Sequence, residues 1–515
     1  MRSAGILIPL FSIRTRGDFG RGEIGGLKPA IDFALAIGHR MIQILPLDET
    51  APGEKSPYSA MSVFAIDPMY ITMRGLEGVG NAALARARAA ANATARAPAR
   101  DTIRRAKLDL LARAGRAALS RGGRGNDPGY RKFATANRDW LDDYALFRAL
   151  KERFNWTAWE TWPAEIARRD PAALKAARRK LADEIAMYRY WQFIADRQWT
   201  AMRSYARERG VSIGGDLAFS PGRDSAEVWA NQEDFDLNRS VGAPPDGFNP
   251  QGQRWGLPLP NWDKMRAGGF KLMRARVRRA ARLFDSIRID HVVGLYRTFN
   301  FGPDPDEAGG AFTPWRYEDE LAQGEEILRA IQAEAGAAQL IAEDLGTVPP
   351  WVRESLTRLG VPGYKVMRWE RVNWGRPDET FLSPPAYPEI SLATTGTHDM
   401  EPLTIWWRGE SIPERARLIH AFQLDSRVSA MEMLAHRPRE AILEALYASP
   451  ARLVLIPFQD LFGWCARINR PGTVDESNWA WRLPLEIGRL RGGAAVRAQI
   501  ARLREIAIRS GRFGS

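Results

Sequence analysis

Cysteine is almost missing from this chain. Cys465 is the only one in 515 residues, so no internal disulfide can form, and a reducing compartment, the cytoplasm, is expected. Histidine is also scarce, with five residues. The two in recognisable motifs, His291 and His398, lie in no HExxH pattern, which argues against a zinc enzyme. No unbroken apolar run is long enough to cross a membrane. The apolar stretch Gly5–Phe11 is short and lacks a small-residue cleavage site, so it reads as a first strand and not as a signal peptide. Glycine is plentiful, yet no Walker or dinucleotide signature sits on a strand-to-helix turn. The expectation is a protein that works without metal or nucleotide cofactor.

Acidic charge is in deficit. Lys and Arg number 74 against 61 Asp and Glu, a net charge of +13. Such an excess raises the question of nucleic acid. The basic residues are mostly Arg, however, and are densest in Ala/Arg-rich helical segments such as 85–105, 113–124 and 175–180. No aromatic RNA motif or basic recognition helix accompanies them. A compositional bias toward Arg is the better account, and neither nucleic acid nor membrane is expected as a partner. Oligomeric state is not legible.

What is present is enough apolar material for a large core: 45% hydrophobic and 26% charged residues, ordinary values for a globular protein. Residues 1–75 read as strand, helix and strand, with Leu27–Ile37 as the helix and Gly38 as its C-cap. Residues 76–209 are rich in Ala, Arg, Leu, Glu and Trp at helical spacing and read as a mainly helical insertion. Trp156, Trp159, Trp162, Trp191 and Trp199 there suit inter-helix packing. Strand-like runs resume at 210 and continue to the C-terminus. Within this last part, 241–262 is rich in Gly, Pro, Asn and Gln and carries Phe248, Trp255 and Trp262. It reads as a long loop that covers a substrate. About eight strand-like runs, mostly separated by helices, predict an α/β fold, a (β/α)8 TIM barrel.

The stretch Asp285–Leu295 organises the rest. Ile287, Ile289 and Val292 are β-formers, while Arg288 and Asp290, two apart, point to one face. A carboxylate in such a strand needs a partner, and Arg288 is at hand. The pair fits either a structural ion pair or an ionised nucleophile. Other polar residues also fall at the ends of apolar runs: Asp216, Glu343, His398 with Asp399, and Asp460. On a barrel those ends converge on the face that carries active sites. Convergent carboxylates suit a hard-cation site or glycosyl transfer, and the aromatic loops, which can stack on pyranose faces, favour sugar.

These residues carry a family resemblance. The chain resembles the 4-α-glucanotransferases of the amylomaltase (disproportionating enzyme) type, glycoside hydrolase family 77 of the α-amylase clan. The resemblance rests on Lys55–Ser59, Gly215-Asp216-Leu217, Asp224–Asn231, Pro244-Pro245-Asp246 with Gly252–Gly256, Ile287–His291, Ile341–Gly346, Thr395–Asp399, and Phe458–Asp460 with Arg467–Gly472. It implies that Asp290 is the nucleophile forming a β-glycosyl-enzyme, Glu343 the acid/base, and Asp399 a ligand of sugar hydroxyls that favours the distorted ring. Arg288 would orient Asp290 and keep it ionised, and His398 would hydrogen-bond the donor sugar. Tyr58 would stack on that sugar, with Asp216, Gln253, Trp255 and Asp460 among the substrate contacts; Asp216 also fits a structural carboxylate, and Asp460 a cap of the final loop that touches no sugar. A retaining pair of this kind should lie about 5–5.5 Å apart. The partners implied are α-1,4-glucans and maltooligosaccharides, with glucose as an acceptor.

Asp344, next to Glu343, points to the other side of its strand and reads as structural. His291 is better read as packing against or orienting Asp290 than as a base. The chain departs from the family's pattern at Met400-Glu401-Pro402 after His398-Asp399, at Gly247, and at Ala218. Two rivals share the motifs: a retaining α-glucan hydrolase, and a non-catalytic glucan-binding protein on a retired barrel.

Overall fold

The structure is a computed structural model. It describes residues 2–92, 100–121, 127–245, 251–303, 309–424, 428–431 and 436–513. Eight parallel strands close into a barrel: β1 (Ser3–Leu7), β2 (Met41–Gln43), β3 (Ser212–Leu217), β4 (Ser286–Ile289), β5 (Gln339–Ala342), β6 (Gly363–Val366), β7 (Ser391–Thr394) and β8 (Leu453–Pro457). Each strand pairs with its neighbours in the chain, and β8 returns to pair with β1. The (β/α)8 architecture expected from the strand count is the one observed.

The strands are near-continuous apolar runs because both of their faces are covered. Ile6, Ile42, Ile287, Ile341, Leu392 and Ile456 are all buried. β3 is crowded at two successive glycines, at Gly215 by the Phe284 ring and at Gly214 by the ends of flexible side chains. A Cβ on Gly214 would lie 2.3 Å from Gln43 Oε1, and one on Gly215 would lie 2.1 Å from Phe284. The ladders are shorter than the apolar runs that announce them. The run 41–47, for example, is strand only through Gln43, and its remainder forms the start of a loop at the C-terminal rim.

A hairpin, Asp48–Thr50 with Ala60–Ile66, and helices between Asn81 and Glu208 separate β2 from β3. Buried polar contacts fix this helical segment to the barrel. Lys107 Nζ donates to Glu23 Oε1 (2.7 Å) and to the carbonyls of Met69 (2.7 Å) and Ile71 (2.8 Å), so all three of its N–H groups are used. Arg148 Nε bonds Glu49 Oε1 at 3.0 Å with both side chains out of solvent. Trp199 Nε1 donates to the Leu283 carbonyl at 2.8 Å. Trp159, Trp162 and Trp191 are buried as well, whereas Trp156 is partly exposed and lies under Arg148.

The segment expected as a long loop over 241–262 is different. Phe235–Ala243 and Gln253–Pro260 are antiparallel strands, and Phe235–Ala243 pairs on its other side with Thr298–Phe301. Gln253–Pro260 is an edge strand. An edge tolerates prolines, which lack the N–H that an inner strand must donate, so Pro258 and Pro260 disguised a strand as a loop. Among the described residues no helix is long and apolar enough to cross a membrane.

Candidate active site

β3 and β4 pair in register with Asp216 opposite Arg288. The two side chains therefore leave the barrel wall on the same side, and Asp290, two residues beyond Arg288, follows them. Arg288 Nη1 lies 2.8 and 2.9 Å from the two oxygens of Asp216 and 2.8 Å from Asp290 Oδ1. Its other terminal nitrogen stands 3.9 Å from Glu343 Oε2. One guanidinium thus touches or approaches three carboxylates. Burial works against its charge, but Asp216, Tyr58 and Asp290 outweigh that and hold its pKa well above the usual arginine value. Asp216 has no exposed side-chain surface, whereas Asp290 keeps about a quarter of its own open to the groove.

Glu343 follows β5 directly, and its environment differs. Burial, reinforced by the negative charge of Asp290, pushes its pKa up to about 8, against the opposing pull of Arg288 and of a backbone N–H. That N–H belongs to His291 and meets Glu343 Oε2 at 2.8 Å. His291 takes a left-handed backbone conformation, φ 47°, uncommon for a residue with a Cβ. Its ring is held edge-on between Phe219 (5.5 Å between centroids) and Trp255 (4.8 Å). Burial lowers its pKa to about 4, so it stays neutral at ordinary pH. Asp344 turns the other way. Its carboxylate accepts from the Tyr364 N–H at 2.6 Å and pairs with Arg353, which is a structural use.

Asp399 lies on the loop after β7. Asn469 Nδ2 donates to its Oδ1 at 2.6 Å, and Arg467 Nη2 donates to its carbonyl at 2.6 Å. His398 Nε2 is 3.3 Å from Asp399 Oδ2 and 3.0 Å from the Tyr58 hydroxyl. That hydroxyl in turn donates to Asp216 Oδ2 at 2.7 Å. The rings of Tyr58 and His398 stack at 5.4 Å and 13°, and Trp479 leans on both. Tyr58, Asp216, Arg288, Asp290, Glu343, His398 and Asp399 therefore belong to one connected hydrogen-bonded and ring-stacked group. Trp255 joins it through His291, and the Trp255 indole N–H points to Gln253 Oε1 at 3.4 Å.

Asp460 does not join it. It sits in a short helix, Phe458–Phe462, just past β8. Its oxygens accept from Thr395 Oγ1 (2.6 Å) and from the Leu403 N–H (2.8 Å), both buried. A carboxylate bonded in this way is buried and stitches the β7 and β8 loops together, in keeping with the loop-capping reading of Asp460. Asp246, Gly247 and Phe248 lie outside the described residues.

Three residues of the group received no role from the sequence: Arg467, Asn469 and Trp479. The departure at 400–402 is accommodated by a local network. Arg368 Nη1 bonds Glu401 Oε1 at 2.8 Å, and Arg467 Nη1 stands 3.4 Å from Glu401 Oε2. Among the described residues no group of three or more His, Cys, Asp or Glu has the arrangement of a metal site. The chemistry on offer is that of one carboxylate held against a guanidinium and a second kept protonated by burial.

The chain is similar to known proteins over nearly all of its length. A family model described as 4-alpha-glucanotransferase matches residues 8–486. The 4-alpha-glucanotransferase of Thermus thermophilus is 32% identical over 502 residues, covering 94% of this chain and 95% of its own. That of Chlamydia caviae is 30% identical over 514 residues, covering 97% and 94%. The solved structure of amylomaltase from Streptococcus agalactiae in complex with acarbose superposes with a TM-score of 0.85 at 26% identity, with 100% of both chains covered.

Proposed function

The chain belongs to the 4-alpha-glucanotransferase family, and we propose that Asp290, Glu343 and Asp399 carry out its transfer by retaining double displacement on an α-1,4-glucan. Asp290 Oδ2, the oxygen not bonded to Arg288, attacks the anomeric carbon of the donor sugar. The Glu343 proton passes to the departing glycosidic oxygen, so a glycosyl ester on Asp290 forms as the C–O bond to the leaving chain breaks. Glu343, now ionised, takes the proton of the acceptor 4-hydroxyl. That oxygen displaces Asp290 and restores the α-linkage.

Asp399, anchored through Oδ1, offers Oδ2 to hydroxyls of the bound sugar, and His398 and the Tyr58 face border the same ring. Asp216 acts through Arg288 and Tyr58. Gln253 and Trp255 supply the wall at which the acceptor, a maltooligosaccharide or glucose, is received. That the Streptococcus agalactiae relative was solved in complex with acarbose supports α-glucans as the substrate class. A single exposed cysteine accords with work in the reducing cytoplasm.

The observation that carries this reading is the opposition of Asp290 and Glu343 across Arg288, with Glu343 pushed up to about 8. Incubation with maltotriose tests it. A ladder of longer maltooligosaccharides together with glucose is expected. Glucose and maltose alone would indicate hydrolysis, and no product would indicate a binding protein.

A further inference from the structure

A cavity of about 320 Å³ opens on the outside of the barrel between helix Arg138–Arg153 of the helical segment and helix Lys271–Leu283, which feeds β4. It shares no residue with the catalytic group. Lys271, Arg278, Arg279 and Arg282 line it from one helix, and positions 0, 7, 8 and 11 of such a series fall on one face. Three of them are exposed at the mouth. Arg279 lies at the floor, only 5% exposed.

Arg279 is only partly used by the protein. Its Nε donates to the Phe64 carbonyl at 3.2 Å and its Nη1 to Asp196 at 2.8 Å, while Nη2, buried, has no hydrogen-bond partner among the described residues. A buried donor left unpaired is expensive, and a bound acceptor removes the penalty. At the mouth, Arg278 pairs with Glu334. Among the described residues Arg282 reaches only the Ala136 carbonyl, at 3.4 Å, and Lys271 has no ion pair, although its charge is felt by the Asp234 carboxylate.

The acids on the wall do not cancel this charge. Asp143 is paired with Arg169 and Arg178. Glu227 is buried and accepts from Ser62 Oγ and the Val63 N–H. Only Asp139 is left to face the space, as an acceptor for a hydroxyl group. Trp140 forms an apolar wall beside the Arg279 guanidinium.

We propose that this cavity binds a small phosphorylated ligand, with the phosphate on Arg279 and its i+3 neighbour Arg282, and with Lys271 adding positive charge at the far end of the opening. A guanidinium fork matches phosphate oxygens, and a dianion satisfies several cations at once. The volume stands at the low end of ligand pockets, roughly 300–1,000 Å³, so it admits free phosphate or a monosaccharide phosphate and excludes a glucan chain. The site is additional to the transfer reaction and independent of it.

Titration calorimetry of the full-length protein with inorganic phosphate and with glucose 6-phosphate tests the proposal. At least one should bind saturably at one site per chain. Equal affinities identify free phosphate as the ligand. Tighter binding of the ester, by tenfold or more, identifies a sugar phosphate. The double variant K271A/R282A, altered only at exposed positions, should weaken binding at least tenfold and leave maltotriose disproportionation in phosphate-free buffer unchanged. Absence of saturable binding to the wild type, or binding that the double variant does not weaken, would overturn the proposal.

Discussion

The backbone N–H of His291 donates to Glu343 Oε2 at 2.8 Å, so the residue after the proposed nucleophile positions the proposed acid. Because Oε2 accepts that bond, the proton of neutral Glu343 resides on Oε1, the oxygen left for the glycosidic atom. The pKa is raised to about 8, chiefly by burial and then by the Asp290 charge. A general acid must be protonated, so kcat/KM for maltotriose should hold at neutral pH and fall as pH rises through about 8. A profile that rises through that range would contradict the assignment. In Asp290→Asn the neighbouring negative charge is gone, so the Glu343 pKa should move down, and a carboxyl NMR titration reads this directly.

Arg288 gives one nitrogen to two carboxylates. Lysine keeps the charge but offers a point contact in place of a planar fork. Arg288→Lys should fold and lower kcat by about 10²-fold, the loss expected for a misplaced reacting group. Arg288→Ala leaves Asp216 buried without its cation and should cost about 3–5 kcal/mol of stability. Near-wild-type kcat in Arg288→Lys would show that the bridge does not set the geometry.

Glu401 occupies the departure from the family's pattern, and its pairs with Arg368 and Arg467 are only partly shielded from solvent. Glu401→Ala gives up a partly exposed pair with Arg467 and leaves the buried Arg368 with its bond to the Thr395 carbonyl, so its cost should fall mainly on stability, with kcat lowered no more than about fivefold. Arg467 holds the Asp399 carbonyl and, through its Nε bond to the Asn469 carbonyl at 2.7 Å, the loop that supplies the Asp399 side-chain partner. A charge-assisted bond is worth about 1.5–3 kcal/mol, so Arg467→Ala should lower kcat roughly 10- to 100-fold. Steady-state kinetics of both variants decide the ranking, and an equal or reversed effect would place Asp399 under different control.

Trp255 covers His291 edge-on. Trp255→Ala opens the groove to water while leaving Asp290 and Glu343 in place. The ratio of hydrolysis to transfer, measured from reducing ends against ladder products, should rise several-fold. An unchanged ratio would remove Trp255 from the exclusion of water.

The parts of this site legible in the sequence are those set by local geometry. Arg288 and Asp290 are two apart, and strand alternation alone puts them on one face. The barrel was legible because strands covered on both faces read as apolar runs, with their carboxylates at the rim. The register that sets Asp216 against Arg288 is a long-range pairing with no local signature. Asn469 meets Asp399 across 70 residues from a loop without periodicity, and Arg467 and Trp479 come from the same region. The edge strand at 253–260 was hidden by its prolines. Asp460 falls next to the rim in sequence, but the first turn of a helix directs its carboxylate into the protein. For Asp460, position relative to a strand end was legible and orientation was not.

The claim on which the rest depends is that Asp290 forms the covalent bond to sugar. The direct measurement is intact and peptide-level mass spectrometry of Glu343→Gln after exposure to α-maltosyl fluoride, whose leaving group needs no proton. A maltosyl adduct should accumulate on the peptide containing Asp290 and disappear when Asp290→Asn is added. An adduct on another residue, or turnover of the fluoride by the Asp290→Asn variant at the undiminished rate, would contradict the account.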